Sequence, residues 1–355
     1  MTSRAFPLAA AHAAVATHGS ETTLMPQYPL IVCLPPGTTR TDLTGELTGR
    51  LEPFSAAHAV APYRRYLQVT SPRFFALVSL AGVEHGLDLA EQGLSWAQVA
   101  EVFNRHLDTV AAPGQPRMRL DGDGRPYGMT TANPRAKFHT WRIGGHFTGH
   151  FLARPGLGRD DTTRIVNPRP SPATVIETVC DGGPRRLLAL AAMRGRARTA
   201  AVEAYEVWEK AVAGTPAART IEEFLDRRSE DPAGYPSRRA AADYLAQPRV
   251  TALTEWDLAH DPVFFDDTDP AGYDSALAEF QVDREQFLHH HERSGPLGHA
   301  LLTLDGDWLD PTVHNPQPAR GDLVAARHTY VEQAAAYLDG LAGDTVLVYV
   351  ELTHR

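Results

Sequence analysis

Between Asn133 and Phe151 the chain reads NPRAKFHTWRIGGHFTGHF, where His139, Trp141, Arg142, His146 and His150 crowd around a Gly144–Gly145 pair. Imidazole titrates near neutral pH, so His139 and His146 are candidate general bases. Trp141 and Arg142 offer a ring and a guanidinium that could stack on a planar ligand, and His150 extends that candidate ligand-binding face. His146 and His150 also have the spacing of a helical zinc pair. On a helix their side chains would lie about 6 Å apart. On a strand, at roughly 3.3 Å per residue, the gap grows to about 13 Å, too far for one ion. The glycines and aromatics favour two strands, or one strand bent at Gly144–Gly145. That geometry puts His146, Thr148 and His150 on one face, so neither a metal nor a cofactor is expected. No Gly-x-Ser-x-Gly elbow and no activated cysteine accompanies these residues, and polar groups on a half-exposed sheet face explain them equally well.

Other clusters carry weaker chemistry. Arg185 and Arg186 open a predicted helix over Pro184 to Ala213. Cations in a first turn oppose the helix dipole, so these arginines are expected to have partners elsewhere, either a solvated face or an anion. Asp121-Gly-Asp123-Gly resembles the start of a calcium loop, but position twelve is Ala132 rather than a carboxylate. A tight turn accounts for those glycines. Gly156-Leu-Gly158 lacks the third glycine of a dinucleotide fingerprint. Asp257, His260, Asp261, Asp266, Asp267 and Asp269 form a dense acidic stretch that reads as an exposed loop. His289, His290 and His291 point about 100° apart on a helix and cannot converge on one ion.

These residues need a scaffold. Tyr28 to Leu34 reads as a buried strand stopped by Pro35-Pro36-Gly37. A short helix runs from Thr41 or Asp42 to Leu51, another strand or helix lies within Leu67 to Leu80, and Ser95 caps a helix through Leu107. Helices are predicted over Thr220–Arg228, Pro236–Gln247 and Asp283–Glu292. The C-terminal part contains a hairpin turning at Asp305-Gly306, an amphipathic helix over Ala319–Leu341, and the best strand of the chain, DTVLVYVEL. The strand near Ile31 needs partners, and the best ones lie near Trp141, Leu301 and Val348. The expected fold is α+β, with one mixed sheet assembled from distant segments and a helix-rich insertion over about 184–293 packed against it. Residues 1–24 read as a mobile tail ahead of a single domain over 25–355.

The chain of 355 residues carries 43% hydrophobic and 22% charged residues, enough to bury a sizeable core. A formal charge of −9 argues against a dedicated nucleic-acid binder, although it leaves room for a local basic patch. Cys33 and Cys180 fit no disulfide or metal spacing. No apolar run reaches the roughly 18 residues of a membrane span. A cytoplasmic location is the expectation.

NPRAKFHTWRIGGHFTGHF resembles a motif of a family of uncharacterised actinobacterial and actinophage proteins, roughly N-P-x-x-K-W-D-W-Y-x-I-G-G-R-W-x-G. Weaker likeness extends to LEPF, LSWAQVAEVFN, DGDGRPYGMTTANP, CDGGPRRLLALAAMR and DTVLVYVELTHR. The chain departs from the pattern at charged positions. His139 stands where the motif has Asp, and His146 where it has Arg. Ser55 and Ala56 replace an acidic pair, and Leu188-Ala189 stands where an Asp is expected. The resemblance implies a link to phage or host-defence biology and no particular chemistry. Two functions follow as expectations. One is a ligand- or partner-binding protein that takes an unknown small molecule or protein on Trp141, Arg142, His146 and His150. The other is a hydrolase or transferase on a phosphate-bearing substrate, with a His general base and Arg185 and Arg186 as anion binders.

Overall fold

The computed structural model describes residues 27–66, 95–109, 117–171, 177–265, 272–311 and 320–353. The proposed tail and the segment Leu67 to Leu80 lie outside the described residues. In chain order the elements begin with strand β1 (Gln27–Leu34), helix α1 (Leu43–Leu51), strand β2 (Tyr63–Tyr66) and helix α2 (Trp96–Thr109). Strands β3 (Met118–Leu120), β4 (Pro126–Thr130), β5 (Thr140–Ile143) and β6 (Phe151–Leu152) follow. Next come helix α3 (Arg159–Thr163) and strands β7 (Arg169–Pro170), β8 (Thr178–Cys180) and β9 (Gly182–Pro184). A helical run holds α4 (Leu190–Ala211), α5 (Ile221–Glu230), α6 (Ser237–Leu245), α7 (Pro248–Ala259), α8 (Asp274–Phe280) and α9 (Arg284–Ser294). Strands β10 (Ala300–Leu302) and β11 (Trp308–Leu309), helix α10 (Arg320–Gly340) and strand β12 (Val346–Thr353) complete the chain. Two compact units result: Met1–Leu51 with Phe138–Arg355, and Glu52–Lys137.

In the larger unit the fold is α+β. Its mixed sheet has the order β11-β10-β1-β12-β5, with β9 also paired to β12. β1 runs antiparallel to β12 along its whole length and parallel to β10. Trp141, Leu301 and Val348, the expected neighbours of β1, all lie in this sheet. β1 and β12 are near-continuous apolar runs because both their faces are covered. One face presents Ile31, Cys33, Leu301, Leu347 and Tyr349 to Tyr330, Val331, Ala334, Ala335 and Leu338 of α10. Those α10 positions recur at helical spacing, which makes one buried stripe.

Helix α4 joins this core to a second one. Leu190 and Met193 pack in the sheet core, whereas Ala201, Tyr205 and Trp208 join Phe224, Tyr244, Leu253, Phe280 and Phe287 of the helical run. Arg194 and Arg293 both reach Asp339 of α10, at 2.7 and 3.1 Å, and tie the insertion to the sheet-covering helix.

Three expectations need correction. α4 begins at Leu190 rather than Pro184, because Gly182–Pro184 is captured as β9 by Val346–Val348 of β12. Close approach explains this: a Cβ on Gly182 would collide with the Leu347 carbonyl oxygen. Asp257 ends helix α7, which the loop reading missed, and its carboxylate accepts the Val263 and Phe265 amides at 2.9 Å each. The central stretch forms two strands, β5 and β6, rather than one bent strand. A 3-10 turn over Gly145–Phe147 interrupts it, so His146, Thr148 and His150 do not share a strand face.

The smaller unit is built on a sheet of order β2-β4-β3. β3 and β4 form the hairpin expected at Asp121-Gly-Asp123-Gly, where Asp121 Oδ1 accepts the Asp123 and Arg125 amides at 3.0 and 2.9 Å. Ser95 precedes α2, and its backbone N–H donates to Gln98 Oε1 at 2.9 Å.

Candidate functional site

Glu351 is the one charged side chain of VLVYVELT, and the register of β12 against β5 sets it opposite Arg142. Directly opposed residues of an antiparallel pair share a face. The carboxylate is almost wholly buried, yet every contact it makes is charge-assisted or from the backbone. Arg142 Nε donates to Oε1 at 2.7 Å, and the His146 backbone N–H donates to Oε2 at 2.6 Å. Burial alone would raise the Glu351 pKa, but the bonds from Arg142 and His146 override it and hold the carboxyl below its usual value. The His146 ring closes the cluster, with Nδ1 3.0 Å from Glu351 Oε2 and 2.8 Å from Arg142 Nη2.

A second buried carboxylate lies on the other side of the turn. Asp181, 1% exposed, accepts the Gly149 amide at 2.6 Å, Asn167 Nδ2 at 2.9 Å and Thr148 Oγ1 at 3.0 Å. Arg169 approaches it at 3.6 Å and also donates to Thr148 Oγ1. Gly144 and Gly145 are wedged between the two acids. Their φ values are +66° and +59°. A Cβ on Gly144 would lie 2.5 Å from Asp181 Oδ2, and one on Gly145 2.5 Å from Glu351 Oε2. Both the left-handed backbone and the lack of a side chain are therefore required here.

The predicted site residues are dispersed. Arg142 and His146 come together and remain 55% and 65% exposed at their side chains. His139 is exposed at the start of β5, where its backbone N–H donates to the Thr353 carbonyl at 2.8 Å. Trp141 is half-buried opposite Leu352, on the reverse face from Arg142, since consecutive strand residues point to opposite sides. The two therefore do not build a common stacking surface on the sheet. His150 is packed inward. Its ring stacks on Tyr349 with centroids 3.9 Å apart, and its Nε2 meets the Pro296 carbonyl at 3.2 Å. Burial pushes its pKa down to about 4, so at neutral pH the ring is uncharged and Nε2–H donates to that carbonyl.

Arg185 and Arg186 are engaged away from the turn. Arg185 donates to the Asp339 and Leu341 carbonyls at 3.1 and 3.2 Å, where the last turn of α10 leaves acceptors open. Arg186 pairs with Asp344 at 2.9 Å and Asp161 at 3.2 Å. Among the described residues, no group of His, Cys, Asp and Glu side chains is arranged to hold a metal ion.

Sequence reasoning missed Glu351 and Asp181, together with Thr148, Asn167 and Arg169. The signal for Glu351 was present: a lone acid inside an apolar strand must find a buried partner. Asp181, between Cys180 and Gly182-Gly183, carried no comparable mark.

Chemically, the cluster presents hydrogen-bond donors. The guanidinium is a permanent donor and the carboxylate a permanent acceptor, so His146 Nδ1 accepts from Arg142 in one tautomer and donates to Glu351 in the other. Glu351 Oε2 also accepts the His146 backbone amide at 2.6 Å. No protein-family model, curated protein or solved structure significantly matches this chain.

Proposed function

We propose that the chain is a cytoplasmic binding protein that takes an acceptor-rich ligand or partner, such as a carboxylate or phosphate group, on Arg142 and His146. The observation that carries this reading is the buried Glu351 carboxylate, which holds the Arg142 guanidinium and the His146 backbone amide while both side chains stay more than half exposed. Glu351 fixes Arg142 directly and His146 through its amide, and Arg142 in turn holds the His146 ring, so little side-chain freedom is left to lose on binding. The family resemblance adds that the natural partner belongs to phage or host-defence biology.

The enzymatic alternative rests on the same cluster, as Glu351 Oε2 lies 3.0 Å from His146 Nδ1. A general base would need Nδ1–H donating to Glu351 and a bare Nε2. Arg142 opposes that tautomer, and Arg185 and Arg186, the anion binders of the alternative, are spent on Asp339, Asp344 and Asp161. Binding is the better supported reading.

A test titrates citrate, inorganic phosphate, AMP and ATP against the full chain and against Arg142→Ala and His146→Gln by calorimetry. The expected result is binding of at least one probe that both variants weaken. Equal binding in all three proteins, or phosphate-ester hydrolysis abolished in His146→Gln, would overturn the reading.

A further inference from the structure

The small sheet of the Glu52–Lys137 unit carries a surface that the binding reading above does not use. Register sets Tyr66 opposite Tyr127, and Tyr127 opposite Arg119. Arg64, two residues before Tyr66, shares that face. Tyr66 is 48% exposed, and its ring lies 6.1 Å from the Tyr127 ring. The Arg64 guanidinium sits 4.9 Å over Tyr127, and that of Arg125 lies 5.7 Å from the Tyr66 ring centre. Arg64 and Arg119 are exposed and make no ion pair among the described residues. Nearby acids are already committed, since Asp121 and Asp123 both pair with Arg125.

We propose that this face of β2-β4-β3 binds single-stranded nucleic acid, with a base stacked on Tyr66 and phosphates on Arg64 and Arg119. An exposed ring interleaved with unpaired guanidinium groups is the chemistry that sequence-tolerant single-strand binding needs. A duplex hides its base faces and has no use for the ring. One half-exposed tyrosine offers too little apolar area for a dry protein interface. The chain's charge of −9 does not forbid the contact. Screening over about 8 Å in physiological salt makes the local cations outweigh distant acids.

The test follows the fluorescence anisotropy of labelled twelve-nucleotide oligo-dT and oligo-U with the full chain, starting at low salt. Expected is saturable binding that weakens steeply as salt rises. Tyr66→Ala and the double variant Arg64→Ala/Arg119→Ala should each weaken it by at least about fivefold, while Tyr66→Trp retains it. Thermal melts of Tyr66→Ala and Tyr66→Trp that match the full chain separate loss of the stacking ring from loss of fold. Absence of saturable binding at low salt would overturn the proposal. So would equal affinity in the variants, or equal affinity for a duplex or an acidic peptide of the same charge.

Discussion

Arg142 Nε lies 2.7 Å from Glu351 Oε1, an ion pair whose acid is buried while its base is half exposed. That asymmetry makes Glu351 an anchor and Arg142 a presented group. Removing the anchor leaves two cationic or polar side chains without orientation, and removing a presented group leaves a buried charge less satisfied.

Glu351→Ala should therefore cost about 1–3 kcal/mol of stability, as it leaves the His146 amide without its acceptor while the half-exposed Arg142 turns to solvent. Arg142→Lys should cost less, as an ammonium still neutralises the carboxylate but cannot bridge to both Glu351 and His146. Urea denaturation measures both. Equal stability of Glu351→Ala and the unmodified chain would show that the pair contributes nothing.

The Gly144–Gly145 turn makes a sharper demand. Gly144→Ala and Gly145→Ala should each destabilise by about 2 kcal/mol or more, since strain at positive φ adds to contact with Asp181 or Glu351. Gly45→Ala in α1 meets open space and should stabilise by roughly 0.5–1 kcal/mol. Thermal melts of the three variants test the contrast.

Acid should weaken the fold before its carboxylates titrate. Burial pushes His150 down to about 4 and His290 to about 3, and it lowers His328 as well. His290 stacks on His328 at 4.0 Å, with His291, Glu279 and Arg327 around them, while His150 faces Asp181 and the Pro296 carbonyl. Below about 6.5 the unfolded chain takes up protons that these rings refuse, so stability falls as pH drops towards those values. Each fully neutral ring accounts for on the order of 2 kcal/mol between pH 7.5 and pH 5. Urea midpoints across that range should decline, and His150→Phe should flatten part of the decline. A flat profile would contradict the assignment.

Arg185 and Arg186 were candidates for anion binding, and their contacts lead to another expectation. Arg185→Ala should cost about 1 kcal/mol by freeing carbonyls at the end of α10, and Arg186→Ala less, as its pairs are solvent-exposed. Neither variant should change the binding of citrate, phosphate or nucleotides.

Much of the scaffold was legible in the sequence. Tyr28–Leu34 and DTVLVYVEL announce central strands by apolar length, and Asp305-Gly306 announces its hairpin. The site was less legible because it depends on contacts far apart in the chain. Nothing local marks Gly145 as the neighbour of Glu351, nor Gly144 as the neighbour of Asp181. The same limit misplaced Pro184: its propensity suits a helix start, but pairing with Val346 outweighs it. Alternation led to His150 on an open face, whereas the turn at Gly145–Phe147 rotates it onto Tyr349.

The central claim is that His146 presents a donor rather than a base, and nitrogen-15 NMR of the histidine rings reads this directly. His146, assigned by comparison with His146→Gln, is observed at a pH where its ring is neutral. The account predicts an unprotonated Nδ1, accepting from Arg142, and a proton on Nε2. A proton on Nδ1, donated to Glu351, would contradict it and restore the general-base alternative.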